Sequence, residues 1–409
     1  MQEGIDAGRV LPAARDRPAF YRRALARRRA IESPPMLILL VAFGVSLGLT
    51  LLTVAMARRH AHLFNDHDLS GPQKFHARPV PRVGGVGIVA GVIAGVLVVL
   101  TLNRTIALQG FALLACGAPT FVAGLTEDIT KRVSPRRRLF FTAISAGLAV
   151  WLVEAVITRT AIPGLDWVVS FSIGAALVTV FVVAGVANSL NIIDGFNGLS
   201  SMCGILLLVC LCYVGVVVGD PLIPLLALAG IGAMLGFFIW NFPAGLIFLG
   251  DGGAYFLGFY VAELAILLLH RNPQVSPMFP LLLCIYPVFE TVFSMYRRKF
   301  LRDVSPGVPD GIHLHSLVYR RLMRWAVGNQ SAKALTRRNS MTSPYLWMLC
   351  MMAIVPAVLF WDNTPALAGF ILLFGVSYVI LYWRIVRFKS PRWLVYRRTE
   401  PGVGDNPGR

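Results

Sequence analysis

Long apolar stretches, separated by short polar segments, run along the chain from residue 36 to residue 386. A helix needs roughly 17–25 mostly apolar residues to cross a ~30 Å hydrocarbon core, and eleven stretches fit that length. They predict spanning helices near 36–57, 83–102, 106–125, 139–158, 168–187, 199–218, 222–240, 246–269, 278–297, 345–361 and 366–386. The pattern therefore predicts an all-α polytopic membrane protein of about 11 transmembrane helices, with its chemistry in the loops.

The distribution of charge predicts which way these helices face. The net charge of +18 could suggest a nucleic-acid partner, but the basic residues gather on alternate loops. Examples of this clustering are Arg58, Arg59, Lys131, Arg132, Arg136, Arg137, Arg138 and the segment 297–338. By the positive-inside rule this face is cytoplasmic, so we expect membrane lipids and no nucleic acid as partners.

Three segments follow from this topology. Residues 1–35 form a basic N-terminal tail, expected to be either untranslated or disordered, and the topology places it outside, against the positive-inside rule. Either the tail is an exception, or 36–57 does not cross, or translation starts at Met36, which we favour. Residues 36–388 form the membrane-embedded domain, and residues 389–409 form a cytoplasmic C-terminal tail.

Acidic residues are scarce, and three of them lie at or just beyond the cytoplasmic ends of predicted helices: Asp128, Asp194 and Asp251. An ionisable residue at a membrane edge is costly, so each is a functional candidate. Carboxylates beside basic loops suit a divalent cation that holds phosphate oxygens, since Mg²⁺ typically binds one or two carboxylates. Helix capping is the alternative, and it is stronger for Asp128 than for Asp251.

Five polar motifs follow one another between residues 66 and 321 on the predicted cytoplasmic face. They are "KFHARPVPRVGGVGI", "GLTEDITKRVSPRRRL", "NSLNIIDGFNGLS", "FLGDGGAYFLGF" and "PVFETVFSMYRRKFLRD" with "PDGIHLHS". Together they resemble the polyprenyl-phosphate N-acetylhexosamine-1-phosphate transferase superfamily, or glycosyltransferase family 4, which includes phospho-N-acetylmuramoyl-pentapeptide translocase. Five motifs in order make the resemblance specific, where one alone would be weak.

The resemblance implies a reaction and its partners. A sugar 1-phosphate, of N-acetylhexosamine type, would move from a UDP-sugar to polyprenyl (undecaprenyl) phosphate, releasing UMP and initiating a cell-surface glycan. The implied cofactor is Mg²⁺, with Mn²⁺ as a substitute. The implied location is the bacterial inner (plasma) membrane, with the active site facing the cytoplasm. The sugar, the prenol, the glycan pathway and a homodimeric state stay open.

The resemblance also implies roles for individual residues. The implied catalytic acids are Glu127, Asp128, Asp194 and Asp251, of which Asp251 and Asp128 are the metal ligands. Asp128 is alternatively the group that activates the lipid phosphate. The implied donor-binding residues are Asn188, Asn191, Asn197, Phe248 (stacking on uracil), His313 and His315 (at the sugar phosphate).

Some of these residues have ordinary structural alternatives. Asn197 lies between two glycines and suits a turn, and Phe248 is also a common membrane-edge residue. Four basic residues surround the stiff "PVPR" segment: Lys74, His76, Arg78 and Arg82. They could grip the lipid phosphate or supply only positive-inside charge.

The chain departs from the family pattern at three positions. Glu127 stands where the family usually has Asp, Ser316 where it commonly has His, and Glu290 where it often has Asp. Because the histidine segment touches the sugar in the family, the identity of the donor cannot be carried over.

Other classes of protein fit the sequence less well. A membrane transporter or lipid flippase would also contain intramembrane acids, but it would place them near the midplane of repeated halves. A CDP-alcohol phosphatidyltransferase would need Ala-Arg after the "DG" of "DGFNGLSSM". A scaffold without catalysis would not need Asp251 beside the bilayer.

Overall fold

The computed structural model describes residues 19–59, 80–301, 312–323 and 331–387, and the regular elements within these ranges are helical, with no strand. The helices are α1 (Ala19–Arg59), α2 (Gly85–Leu102), α3 (Arg104–Thr130), α4 (Pro135–Leu152), α5 (Leu165–Val169), α6 (Ser172–Ile192), α7 (Leu199–Val217), α8 (Leu222–Asn241), α9 (Gly250–Arg271), α10 (Met278–Leu283), α11 (Ile285–Tyr296), α12 (Leu314–Leu317), α13 (Ala332–Leu359) and α14 (Thr364–Val386). Within the described ranges, nine are long and apolar enough to cross a membrane. The prediction of an all-α polytopic membrane protein is confirmed.

The two remaining predicted crossings coincide with α4 and with the pair α10 and α11. Helix α4 ends at Leu152, six residues before the predicted end of its span, because Glu154 adopts a left-handed backbone with φ 55°. Helices α10 and α11 meet at Cys284, where the backbone leaves helical geometry. Pro287, which has no N–H to bond the Leu283 carbonyl, accounts for this break. The total of eleven crossings stays a prediction.

Helix α9 is the centre of the bundle, and its residues from Gly250 to Leu269 are all buried. It packs on α3 and α6 in particular. Glycines permit this close approach at its first turn, since a Cβ added to Gly124 of α3 would lie 2.6 Å from the Cα of Gly252. The first turn of α9 therefore packs directly against the backbone of α3, near the C-terminal end of α3.

Candidate functional site

The segment before α9 fixes the start of that helix by pairing with the segment before α2. Phe248 donates its backbone N–H to the Pro81 carbonyl at 2.9 Å, and Gly84 donates to the Phe248 carbonyl at 3.0 Å. Gly250 then turns the chain with φ 74°, where a Cβ would clash with the Arg82 carbonyl at 1.8 Å. Only glycine fits this turn, and the turn places Arg82 beside the beginning of α9.

Asp128 anchors the first turn of α9 from the end of α3. Its two carboxylate oxygens accept the backbone N–H groups of Asp251 and Gly252, each at 2.9 Å. These amides belong to the four at a helix start that lack intrahelical partners, and the positive end of the helix dipole favours a carboxylate there. The geometry thus gives Asp128 the capping role that the sequence left open, although each oxygen retains a further lone pair.

Asp251 is the residue on which the side chains of the site converge. Its Oδ1 accepts the amide N–H of Asn191 at 2.8 Å and lies 3.7 Å from an Arg82 guanidinium nitrogen. Its Oδ2 forms an ion pair with Arg138 from the first turn of α4. Elements distant in the sequence therefore bring two cations and one amide to a single carboxylate.

Arg138 is the site residue that the sequence did not single out. Its side chain is 12% exposed, and its guanidinium carbon lies 5.6 Å from the centre of the Tyr255 ring. The Tyr255 hydroxyl in turn donates to Asn188 Oδ1 at 3.0 Å. A stripe of small buried residues on α4 was the available signal, because Thr142 lies one turn beyond Arg138 on the same face.

Asp194 lies in the turn between α6 and α7, close enough to the other acids to interact with them electrostatically. Burial raises the pKa of Asp194 to about 8, although Arg82 opposes the shift. The negative charges of Asp251 and Asp128 raise this pKa further. A carboxyl group with this pKa is mostly protonated at neutral pH, and a bound cation would favour its ionised form.

The histidine segment approaches the same turn. The Nε2 atom of His315 lies 3.8 Å from the position a Cβ would take on Gly195, and the His315 ring centre is 5.5 Å from that of Phe196. His313 stacks on His315 with ring centres 5.0 Å apart. Both predicted histidines thus reach the neighbourhood of Asp194.

Asn197 contacts α13. Its backbone N–H donates to Asn339 Oδ1 at 2.8 Å, and its amide nitrogen donates to the Ser340 hydroxyl at 3.0 Å. The Ser343 hydroxyl donates to the Asn197 carbonyl at 2.6 Å. These contacts favour the turn-forming alternative for Asn197, in which it fastens the Asp194 turn to α13.

Of the remaining candidates, two lie within the described residues and three lie outside them. Glu127 accepts the Val133 backbone N–H at 2.6 Å, so its observed contact closes the turn between α3 and α4. Phe248 is half-buried beside the site. Lys74, His76 and Arg78 lie outside the described residues.

The carboxylate oxygens of the site suit a divalent cation that is coordinated partly by the protein and partly by a substrate. Within the described ranges, no three His, Cys, Asp or Glu side chains converge as a closed metal site. Mg²⁺ does not require one, because it commonly uses one or two carboxylates with phosphate oxygens and water. The Asp251 carboxylate fits such a set with Asp194 or Asp128 nearby, and Arg82 and Arg138 are placed to bind phosphate oxygens beside it.

Comparisons with known proteins agree with this geometry. The family model "Glycosyl transferase family 4" matches residues 110–269. A protein named probable undecaprenyl-phosphate N-acetylglucosaminyl 1-phosphate transferase, from Bacillus subtilis, is 29% identical over 300 residues, covering 72% of this chain and 80% of that protein. An undecaprenyl-phosphate alpha-N-acetylglucosaminyl 1-phosphate transferase from Thermotoga maritima is 29% identical over 261 residues, covering 63% and 74%. A phospho-N-acetylmuramoyl-pentapeptide-transferase from Geobacillus is 23% identical over 248 residues, covering 58% and 76%.

Proposed function

The chain belongs to the polyprenyl-phosphate N-acetylhexosamine-1-phosphate transferase superfamily, and on that premise we propose that it transfers a sugar 1-phosphate from a UDP-sugar to a polyprenyl phosphate. A phosphate oxygen of the lipid attacks the phosphorus that bears the sugar. The bond from that phosphorus to the bridging oxygen breaks, and UMP leaves with this oxygen. The products are UMP and a lipid-linked sugar pyrophosphate.

The observation that supports this proposal most strongly is the set of charges around Asp251. Arg82 and Arg138 approach one carboxylate at the start of the buried helix α9. Phosphoryl transfer requires mainly positioning and neutralisation of charge rather than covalent help from the protein. Two arginines and a carboxylate within reach of each other supply both, because the arginines can bind phosphate oxygens while the carboxylate binds a cation.

We assign Asp251 as the main ligand of a Mg²⁺ ion, with Asp194 as the acid best placed to assist it. When bound, Mg²⁺ would neutralise the diphosphate of the donor and the charge that develops on UMP. Arg138 forms an ion pair with Asp251. Because a guanidinium binds phosphate oxygens well, Arg138 would also help to hold the phosphates of the donor beside that carboxylate.

Asp128 acts in this scheme through position rather than by removing a proton. The second pKa of a phosphate monoester is about 6, so the lipid phosphate is largely a dianion at neutral pH and needs no general base. Asp128 instead holds the amides of Asp251 and Gly252, and thereby aims the Asp251 carboxylate. The Asn188 and Asn191 amides, hydrogen-bonded to Tyr255 and Asp251, line the same space for the donor.

We further propose that the site faces the cytoplasm. The ends of α3 and α9 that form it adjoin the loop with Lys131, Arg132, Arg136 and Arg137, which is the basic side of the chain. In a bacterium this membrane would be the plasma membrane. Nucleotide sugars are made in the cytoplasm, so this orientation gives the enzyme access to its donor.

A transfer assay tests the proposal directly. Membranes that contain the protein are incubated with undecaprenyl phosphate and each of a panel of radiolabelled UDP-sugars, with Mg²⁺ or with EDTA. We expect labelled lipid with at least one N-acetylhexosamine donor, and none in EDTA. Absence of labelled lipid with every donor would contradict the proposed reaction.

Two matched variants test the site. Asp251→Asn should lower turnover by at least about 10²-fold and abolish Mn²⁺ binding measured by electron paramagnetic resonance. Asp362→Asn makes the same chemical change at an exposed residue before α14 and should alter neither. Normal Mn²⁺ binding by Asp251→Asn would remove Asp251 as the ligand.

A further inference from the structure

The C-terminal helix α14 reaches the histidine segment through two buried tyrosines, Tyr378 and Tyr382. Tyr378 donates its hydroxyl to Glu290 Oε2 at 2.6 Å. The other oxygen of Glu290 accepts the backbone N–H of Leu314 at 2.8 Å and lies 3.2 Å from His313 Nδ1. Glu290 is 1% exposed, so this carboxylate interacts with protein groups on α14 and on the histidine segment at once.

Arg297 makes a second connection on the other side of His313. Its guanidinium donates to the Ile312 carbonyl and to the Tyr382 hydroxyl. The Tyr382 hydroxyl also lies 3.3 Å from the Ile312 carbonyl. The backbone is thus held immediately before and immediately after His313, in each case by one charged side chain and one tyrosine of α14.

A third contact fixes the end of α14 itself. Arg321, which follows the histidine segment, donates to the carbonyls of Ile385 and Val386 in the last turn of α14, the former at 2.8 Å. A cation at a helix C-terminus also interacts favourably with the helix dipole. The contacts between α14 and the histidine segment therefore extend over about two helical turns.

The hydrogen bonds around Glu290 determine which nitrogen of His313 bears hydrogen. A carboxylate only accepts, and the Leu314 N–H and the Tyr378 O–H both donate to it. His313 Nδ1 is then also a donor, which makes Nε2 the acceptor nitrogen of the neutral ring. The arrangement orients the ring and selects its tautomer together.

This orientation is transmitted to the site through ring contacts. His313 and His315 stack at an angle of 12°, and His315 packs on Phe196. Phe196 directly follows Gly195 and Asp194 in the turn that faces Asp251. A displacement of His313 would therefore displace His315 beside this turn.

We propose that four residues form a bracket that positions His313 and His315 toward the donor substrate: Glu290, Arg297, Tyr378 and Tyr382. Helix α14 thereby contributes to the active site through the histidines, without itself contacting the substrate. Helix α14 lies beyond residues 110–269, the part matched by the family model. The inference rests on the proposed function for the nature of the donor. The four bracket residues are positioning residues, since they act through the histidines.

Steady-state kinetics of the purified full-length protein test the bracket, with UDP-N-acetylglucosamine and undecaprenyl phosphate as probes, or the UDP-sugar that labels best. Tyr378→Phe should lower kcat/KM for the UDP-sugar about tenfold, the cost of one hydrogen bond to a charged group. It should leave KM for the lipid unchanged. Tyr213→Phe makes the same change on α7, where the side chain is 52% exposed, and should leave both parameters unchanged.

A double-mutant cycle separates positioning from a general loss of stability. If Tyr378 acts through His313, Tyr378→Phe should have no further effect on kcat/KM in a His313→Asn background. An equal fold-loss in both backgrounds, or an unchanged kcat/KM in the single variant, would overturn the proposal.

A spectroscopic measurement keeps the bracket testable even if the proposed reaction fails. Nitrogen NMR of ¹⁵N-histidine-labelled protein should contain a ring with hydrogen on Nδ1 that is missing from His313→Asn. This signal should change in Glu290→Gln and persist in Tyr213→Phe. A wild-type protein that transfers no sugar phosphate but gives this signal would refute the function and retain the bracket, whereas an unchanged signal in Glu290→Gln would refute the bracket.

Discussion

Asp128→Asn tests whether Asp128 is the anchor of α9. In the wild type, two carboxylate oxygens accept two backbone N–H groups at the start of that helix. Asparagine retains one acceptor, but its amide NH₂ would face the second backbone N–H. Hydrogen bonds to charged groups contribute about 1.5–3 kcal/mol each and neutral ones about 0.5–1.5 kcal/mol. The loss of one bond and the weakening of the other suggest a destabilisation of about 3 kcal/mol.

This loss of free energy should be visible as a fall in melting temperature. An unfolding entropy of about 2.1 cal/mol/K per residue converts 3 kcal/mol into a decrease of roughly 3–4 °C for a chain of this length. A thiol-reactive fluorogenic dye can follow unfolding, because five of the six cysteines are buried and free. Asp362→Asn, at an exposed position, is the control and should melt as the wild type does.

Activity should fall with stability in the same variant. The first turn of α9 would shift relative to Arg82 and Arg138, and a displacement of about 1 Å can cost 10²-fold in rate. A variant with the wild-type melting temperature and the wild-type rate would refute the anchoring role. A variant that loses Mn²⁺ binding and activity without any change in melting temperature would instead identify Asp128 as a direct metal ligand.

Three further predictions concern residues away from Asp251. Burial raises the pKa of Asp220, but hydrogen bonds from Arg271 and Asn272 outweigh this effect and hold the pKa below its usual value. The stability from this ion pair is present above the ordinary pKa of about 4 and is lost as pH falls through the lower folded pKa. Melting curves of Asp220→Asn should therefore depend less on pH between about 5 and 2, and an identical dependence would refute this. Glu263 is fully buried with no hydrogen-bond partner within the described ranges. Glu263→Leu should therefore raise the free energy of unfolding by about 1–3 kcal/mol in the same melting assay. A lower melting temperature would contradict this and would reveal a partner. Glu127→Asp shortens the side chain that accepts the Val133 N–H, so it should lower the melting temperature slightly and retain most transfer activity, whereas complete loss of activity would indicate a catalytic role.

The positions of the helices were largely predictable from the sequence, because a bilayer imposes a length and a composition on each crossing. The predicted spans 199–218 and 222–240 differ from α7 and α8 by one residue at one end only. The early end of α4 was not predictable, since hydropathy continues past Leu152 while the backbone turns at Glu154. The break at Cys284 had a signal in Pro287, which the hydropathy pattern does not register.

The candidate site was predictable in its residues but less so in their roles. Acidic residues are scarce in this apolar chain, which pointed to Asp128, Asp194 and Asp251. An ionisable side chain at a membrane edge is energetically unfavourable, so each of these residues was a functional candidate. Which of them anchors a helix and which faces a ligand depends on contacts between α3 and α9, 123 residues apart. Arg138 was missed because its charge alone does not distinguish it from Arg136 and Arg137. The stripe of small residues that continues from Arg138 along α4 does distinguish it.

The complete burial of α9 has a consequence for how the enzyme responds to its membrane. Helices at the periphery of a membrane protein tilt or shift when the hydrocarbon thickness changes, because their apolar surfaces contact lipid tails. Residues Gly250 to Leu269 of α9 have no such surface, as they contact only other parts of the protein. The height of Asp251 relative to its neighbours is therefore set by α3, α6 and the glycine contacts at the first turn. Changes in acyl-chain length or sterol content reach Asp251 only after the surrounding helices have absorbed them.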